Sequence, residues 1–130
     1  MGLAHITLAT RDVARSRTFF QEALGWQPAA RPGNITTTAA WLDIAPGIEL
    51  HLIEDPDFEP SPFEMEFGRH IAVTCARAEF PRLKARLQTC GATLIDPIRE
   101  TPFERFFFRD WNGYVFEVVE ENREEPRLVV

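Results

Sequence analysis

The sequence predicts an α+β protein assembled from two successive copies of a βαβββ module. Short stretches alternate apolar and polar residues with the period of a strand, and two longer stretches carry apolar residues at helical spacing before a glycine. Landmarks then recur at a constant offset: His5 precedes His70 by 65 positions, while Gly25 precedes Gly91 and Gly47 precedes Gly113 by 66. A constant offset at separate landmarks is the signature of an internal duplication.

Residues 3–8 alternate, with Leu3, His5 and Thr7 on one face and Ala4, Ile6 and Leu8 on the other. A helix follows, with Asp12 as N-cap, Val13, Ser16, Phe20 and Leu24 along one side, and Gly25 as the left-handed C-cap. Pro28, Pro32, Gly33 and Asn34 punctuate a short edge strand and a turn, and Thr-rich residues 35–44 read as the next strand. Pro46 and Gly47 turn the chain into an alternating strand over residues 48–54, and the Pro- and acid-rich segment 55–66 reads as an exposed linker.

The second copy repeats the order: a strand over 70–75, a helix over 79–90 with Phe80, Leu83, Leu87 and Cys90 on one side, then Gly91. Strands follow near 93–95, 103–109 and 114–120. We therefore expect one domain within residues 1–125, made of module one at about 1–55, a linker at 56–67 and module two at about 68–121, with a peripheral tail at 122–130.

Composition narrows the function. Hydrophobic residues make up 45% and charged residues 26%, the balance of a chain that buries a core. A net charge of −6, with no stripe of Lys and Arg, argues against nucleic acid and anionic membranes and for a small-molecule partner. Cys75 and Cys90 read as reduced core thiols of a cytoplasmic protein, and neither a signal peptide nor an apolar run of membrane-spanning length is expected.

The same offset pairs His51 with Glu117 on the last strand of each copy, so duplicated positions hold His5, His51, His70 and Glu117. Their strand neighbours Ile6, Leu50, Leu52, Ile71, Phe116 and Val118 point the other way, towards the helices, which leaves the four polar side chains facing a common concavity. One strand histidine is more often a hydrogen-bonded structural residue than a ligand. Three imidazoles and a carboxylate converging without a cation, however, leave polar groups that are costly to bury. We expect them to hold a divalent transition metal (Zn, Ni, Mn, Fe or Co), because Ca²⁺ and Mg²⁺ favour all-oxygen shells. Glu49, two positions from His51 on the same face, competes with it as a ligand; the offset selects His51 and leaves Glu49 to support it or to line the cavity rim.

The segments HITLATRDVARSRTFFQEALGW, IELHLIEDP, GRHIAVTC and FERFFFRDWNGYVFEVVE resemble the vicinal-oxygen-chelate superfamily of glyoxalases, bleomycin resistance proteins and dioxygenases, over Leu3 to about Glu121. The resemblance implies paired modules curled into a half-open barrel, metal ligands at His5, His51, His70 and Glu117, and a homodimer. Trp111 stands where relatives commonly have proline.

The chemistry implied is stabilisation of an enediolate, oxyanion or alkoxide by a metal that binds neighbouring substrate oxygens, of lyase or isomerase type, with Glu117 as the candidate base. Glyoxalases carry Glu or Gln where His51 stands. Thr7, two residues after the first ligand, matches the threonine of fosfomycin-type thiol transferases, although no set of basic residues for a phosphonate is evident. An extradiol dioxygenase would use His5, His70 and Glu117 as a facial triad, but this chain has no further His and only Tyr114 as an acid/base phenol. The alternative of another class is a metal-free drug-binding protein of the bleomycin-resistance type, whose pocket would draw on the eleven Phe and three Trp.

Overall fold

A computed structural model describes residues 1–129 and divides the chain into two compact units, Met1–Glu59 and Pro60–Val130. The first unit runs β1 (His5–Thr10), α1 (Val13–Leu24), β2 (Gln27–Ala29), β3 (Ala39–Ala45) and β4 (Ile48–Glu54). The second runs β5 (Ile71–Cys75), a 3-10 turn (Arg77–Glu79), α2 (Phe80–Thr89), β6 (Thr93–Ile95), β7 (Arg105–Arg109) and β8 (Val115–Glu120). Each is a βαβββ module, as the offset predicts.

The two sheets share one topology, β1-β4-β3-β2 and β5-β8-β7-β6, with the first pair of strands parallel and the others antiparallel. Register makes the duplication concrete, because Thr7 lies opposite His51 in one unit and Ala72 opposite Glu117 in the other. His51 and Glu117 therefore occupy equivalent places, and their strand neighbours Leu50, Leu52, Phe116 and Val118 are all buried.

Helix α1 forms where its caps place it. The Asp12 carboxylate accepts from Arg15 N at 3.0 Å, and Gly25 adopts φ +73 with its N–H bonded back to Gln21. Glu54, ending β4, accepts from Val13 N at 3.1 Å and so ties the sheet to the helix start. Val13, Phe19, Phe20 and Ala23 are the buried face, against Leu42, Leu50 and Leu52 of the sheet. In the second unit Phe80, Leu83 and Leu87 play the same part, with Phe80 edge-on to Phe106.

Four expectations need correction. Residues 35–38 are not strand: the β3–β4 ladder starts at the Ala39–Ile53 pair, and the bond from Glu54 N–H to the Thr38 carbonyl is its last rung. The strand expected from residue 70 begins at Ile71, so His70 stands just before it. The segment expected to be an exposed linker buries Glu64 and most of the Glu66 side chain, because Glu64 accepts from Val115 N and Arg69 Nε while Glu66 accepts from three donors of the second unit. Cys75 and Cys90 are free thiols, yet they are half-buried and not core residues. Among the described residues, no helix is long and apolar enough to cross a membrane.

Candidate functional site

The four side chains singled out by the offset form two pairs, one in each unit. In the first, β1 presents His5 and β4 presents Glu49 and His51 on the same face, and β3 places Trp41 directly across from His51. The His51 imidazole is sandwiched, with its ring centre 4.0 Å from that of His5 and 3.8 Å from that of Trp41, both nearly parallel. Its Nε2 lies 2.9 Å from Glu49 Oε1. Glu49 therefore contacts His51 directly, and His51 must give up that bond to use Nε2 elsewhere or present Nδ1 instead.

In the second unit, His70 Nδ1 lies 3.2 Å from the carbonyl oxygen of Met65. A carbonyl oxygen only accepts, so Nδ1 carries the proton, and in the neutral ring Nε2 is left with a lone pair. Nε2 faces Glu117 Oε1 at 3.7 Å, too far for a hydrogen bond. Phe107, the direct cross-strand partner of Glu117, lies edge-on to the His70 ring.

The other oxygen of Glu117 belongs to Arg105. Its guanidinium, almost fully buried, donates from Nη1 to Glu117 Oε2 at 2.9 Å and from Nη2 to Glu66 Oε2 at 2.9 Å, and Nη2 also reaches the carbonyl of Arg99. Glu66 further accepts from the backbone N–H groups of Ile98 at 2.6 Å and Arg99 at 2.9 Å. Burial alone would raise the Glu66 pKa; the bonds from Ile98, Arg105 and Arg99 outweigh it and hold the carboxyl down at about 2. Burial likewise works against the charge on Arg105, and the two carboxylates more than restore it.

The donor chemistry of the second pair fits a transition ion. A ring nitrogen whose opposite N–H is fixed by a backbone carbonyl is the usual arrangement of a metal-binding histidine. Two ligands at ~2.1 Å from one ion lie ~3.0–3.4 Å apart, a few tenths of an ångström from the spacing seen here. Among the described residues no three His, Cys, Asp or Glu side chains cluster as a ready cation cage, so the metal reading is carried by pairs.

Trp41, Glu66 and Arg105 escaped the sequence reading. Trp41 was visible only as one of several aromatic residues, and its role depends on strand register. Arg105 carried a usable signal, an arginine set directly before the apolar run Phe106-Phe107-Phe108 in a strand; Glu66 carried none that a local pattern shows. A cleft of about 740 Å³ in the second unit is bordered by Arg77, Lys84 and Arg99 but also by Asp96, Glu100 and Glu104, so its mixed charge selects no ligand.

Comparison with known proteins adds to this geometry. The model of the glyoxalase/bleomycin resistance protein/dioxygenase superfamily matches residues 2–118. The chain is similar to Glyoxylase I 4 of Arabidopsis thaliana, with 27% identity across 90% of this chain and 69% of that protein. It is similar to glutathione transferase FosA of Serratia marcescens, with 31% identity across 90% of this chain and 79% of that protein. Among solved structures, the fosfomycin resistance protein FosX of Listeria monocytogenes, as a mutant complexed with Mn(II) and 1S,2S-dihydroxypropylphosphonic acid, superposes with a TM-score of 0.77. That match has 20% identity and covers 92% of this chain and 91% of the other, a likeness of fold.

Proposed function

Since the chain belongs to the glyoxalase/bleomycin resistance protein/dioxygenase superfamily, we propose that it is a metal-dependent enzyme of lyase or isomerase type acting on a small substrate with adjacent oxygens. Its ligands in this reading are His5, His51, His70 and Glu117. The observation that carries the reading is the placement of His70 Nε2 against Glu117 Oε1 at 3.7 Å, beyond hydrogen-bond reach, with Nδ1 held by the Met65 carbonyl.

A bound divalent ion of the Zn, Ni, Mn, Fe or Co group supplies a Lewis acid that stabilises developing oxyanion charge. The protein does the rest. Met65 and Phe107 hold the His70 ring, and Arg105 holds Oε2 of Glu117, so that Oε1 is the oxygen that would hold the ion and, only when released from it, take a proton from substrate. On the first unit, Trp41 and Glu49 fix the plane and tilt of His51.

A fosfomycin-type thiol transferase is the second reading, favoured by the 31% identity to the Serratia protein and by Thr7, which shares the exposed face of β1 with His5. Both readings have the enzyme acting as a cytoplasmic homodimer. The strands that end each sheet, β1 and β2 in one unit and β5 and β6 in the other, are surfaces a second copy would cover, and two cysteines outside any disulfide suit a reducing compartment.

The test is uptake of Zn²⁺, Ni²⁺, Mn²⁺ or Fe²⁺ by the purified protein, followed by a screen with glutathione hemithioacetals, fosfomycin plus thiols, and catechols. Turnover of a hemithioacetal supports the first reading, and thiol addition to fosfomycin supports the second. Absence of metal uptake, with retained binding of aromatic drugs, points to a metal-free binding protein instead. Sedimentation at monomer mass across micromolar concentrations defeats the dimer.

A further inference from the structure

The face of β7 and β8 that bears Glu117 also bears Arg105, the diagonal neighbour of Glu117 through the Phe107 cross-strand pair. Only 3% of its side chain is exposed, and Nε has no partner. Removing a guanidinium from water is expensive, and one carboxylate with the Arg99 carbonyl would already give it a structural tie. Here the remaining arm is directed at Oε2 of Glu117, the oxygen turned away from His70.

Each oxygen of Glu117 thus has its own task. Rotation of the carboxylate, or use of both oxygens on one ion, would break a charge-assisted bond of 2.9 Å in a buried setting. Glu66 completes the arrangement. It neutralises Arg105, so the guanidinium orients Glu117 without cancelling the negative charge that a cation needs, and its bonds to Ile98 N and Arg99 N fasten the pair to the backbone. Glu66 and residues 98–99 lie in segments flanking the strands, so the aim of Glu117 is set from outside the sheet that carries it.

We propose that Arg105 is a positioning residue for Glu117: anchored by Glu66 and the backbone at 98–99, it holds Oε2 and presents Oε1 alone as the ligand atom. The inference rests on the reading of His70 and Glu117 as metal ligands.

The experiment measures Mn²⁺ affinity by electron paramagnetic resonance for the full-length wild type, Arg105→Met and Arg105→Lys, with circular dichroism and a metal-free thermal melt on each to establish folding. Loss of a residue supporting a metal ligand typically weakens binding about 10–100-fold, which is the loss expected for Arg105→Met. Lysine keeps the charge but not the planar fork that spans two carboxylates, so Arg105→Lys should recover only part of it. A folded variant that binds Mn²⁺ within about twofold of the wild type overturns the proposal, and Arg105→Lys decides alone if Arg105→Met does not fold. A wild type that takes up neither Mn²⁺, Zn²⁺ nor Ni²⁺ overturns the ligand reading and this inference with it, an outcome distinct from metal binding that is indifferent to Arg105.

Discussion

Oε1 of Glu117 lies 3.7 Å from Nε2 of His70, whose Nδ1 is bonded on the far side of the ring to the Met65 carbonyl. An imidazole nitrogen and a carboxylate oxygen that face each other beyond hydrogen-bond distance are two donors that one divalent cation would join. Removing either one should therefore cost metal without collapsing the sheet. Elemental analysis of His70→Ala and Glu117→Ala is expected to show metal content reduced by about 10-fold or more relative to the wild type. Metal retained at the wild-type level in both variants would falsify the assignment.

Trp41 makes a comparable case in the first unit, because its ring covers His51 at 3.8 Å. Aromatic stacking contributes about 0.5–1.5 kcal/mol beyond the area buried. Trp41→Ala is expected to be less stable than Trp41→Phe by about 1–2 kcal/mol in urea melts, since phenylalanine keeps a flat face over the imidazole. Equal stability of the two variants would show that the stack adds nothing.

The strands, the helices and the pairing of His51 with Glu117 could be read in the chain because duplication and period-two alternation are local or repeat with a fixed offset. β4 and β6 were expected at the bounds they have. What could not be read depends on register and on long loops. Trp41 meets His51 only because β3 and β4 pair as they do, and Glu66 reaches Arg105 across 39 residues of chain. Composition marked Glu64 and Glu66 as solvent-facing, since acids in a proline-rich segment usually are. Their burial follows from donors at Val115, Ile98, Arg99 and Arg105 that no local pattern announces.

Asp110 predicts a pH dependence. It is buried, and burial pushes its carboxyl up to about 6 from an ordinary 3.8, with bonds from Tyr114, Asn112 and Gly113 opposing only in part. A carboxyl whose folded pKa exceeds its unfolded pKa stabilises the fold most when both states are protonated. Its contribution is therefore largest below 3.8, falls as pH rises, and levels off above about 6. Asp110→Asn keeps an oxygen for Tyr114 N–H, which Oδ1 now accepts at 2.9 Å, and cannot ionise. The stability of the variant relative to the wild type should thus improve between about pH 4 and pH 7 in chemical denaturation. Comparing the two proteins at each pH cancels the opposite trend set by Glu66. A difference that does not change with pH would mean that Asp110 does not titrate in that window.

The duplicated glycines Gly47 and Gly113 separate backbone strain from steric clash. Both have positive φ, +76 and +100, so a side chain is strained at either place. A Cβ on Gly47 would meet nothing within 4 Å, whereas one on Gly113 would lie 2.7 Å from Cγ and 2.8 Å from Cβ of Pro60. Gly47→Ala should cost about 1 kcal/mol, the strain alone. Gly113→Ala adds an overlap with a stiff ring and should cost about 2–4 kcal/mol. Equilibrium unfolding of the two variants tests the contrast, and Pro60→Ala combined with Gly113→Ala should recover the steric part while leaving the strain. Equal losses at Gly47 and Gly113 would mean that the Pro60 ring yields freely and that the turn at residues 110–113 tolerates a side chain as well as its counterpart does.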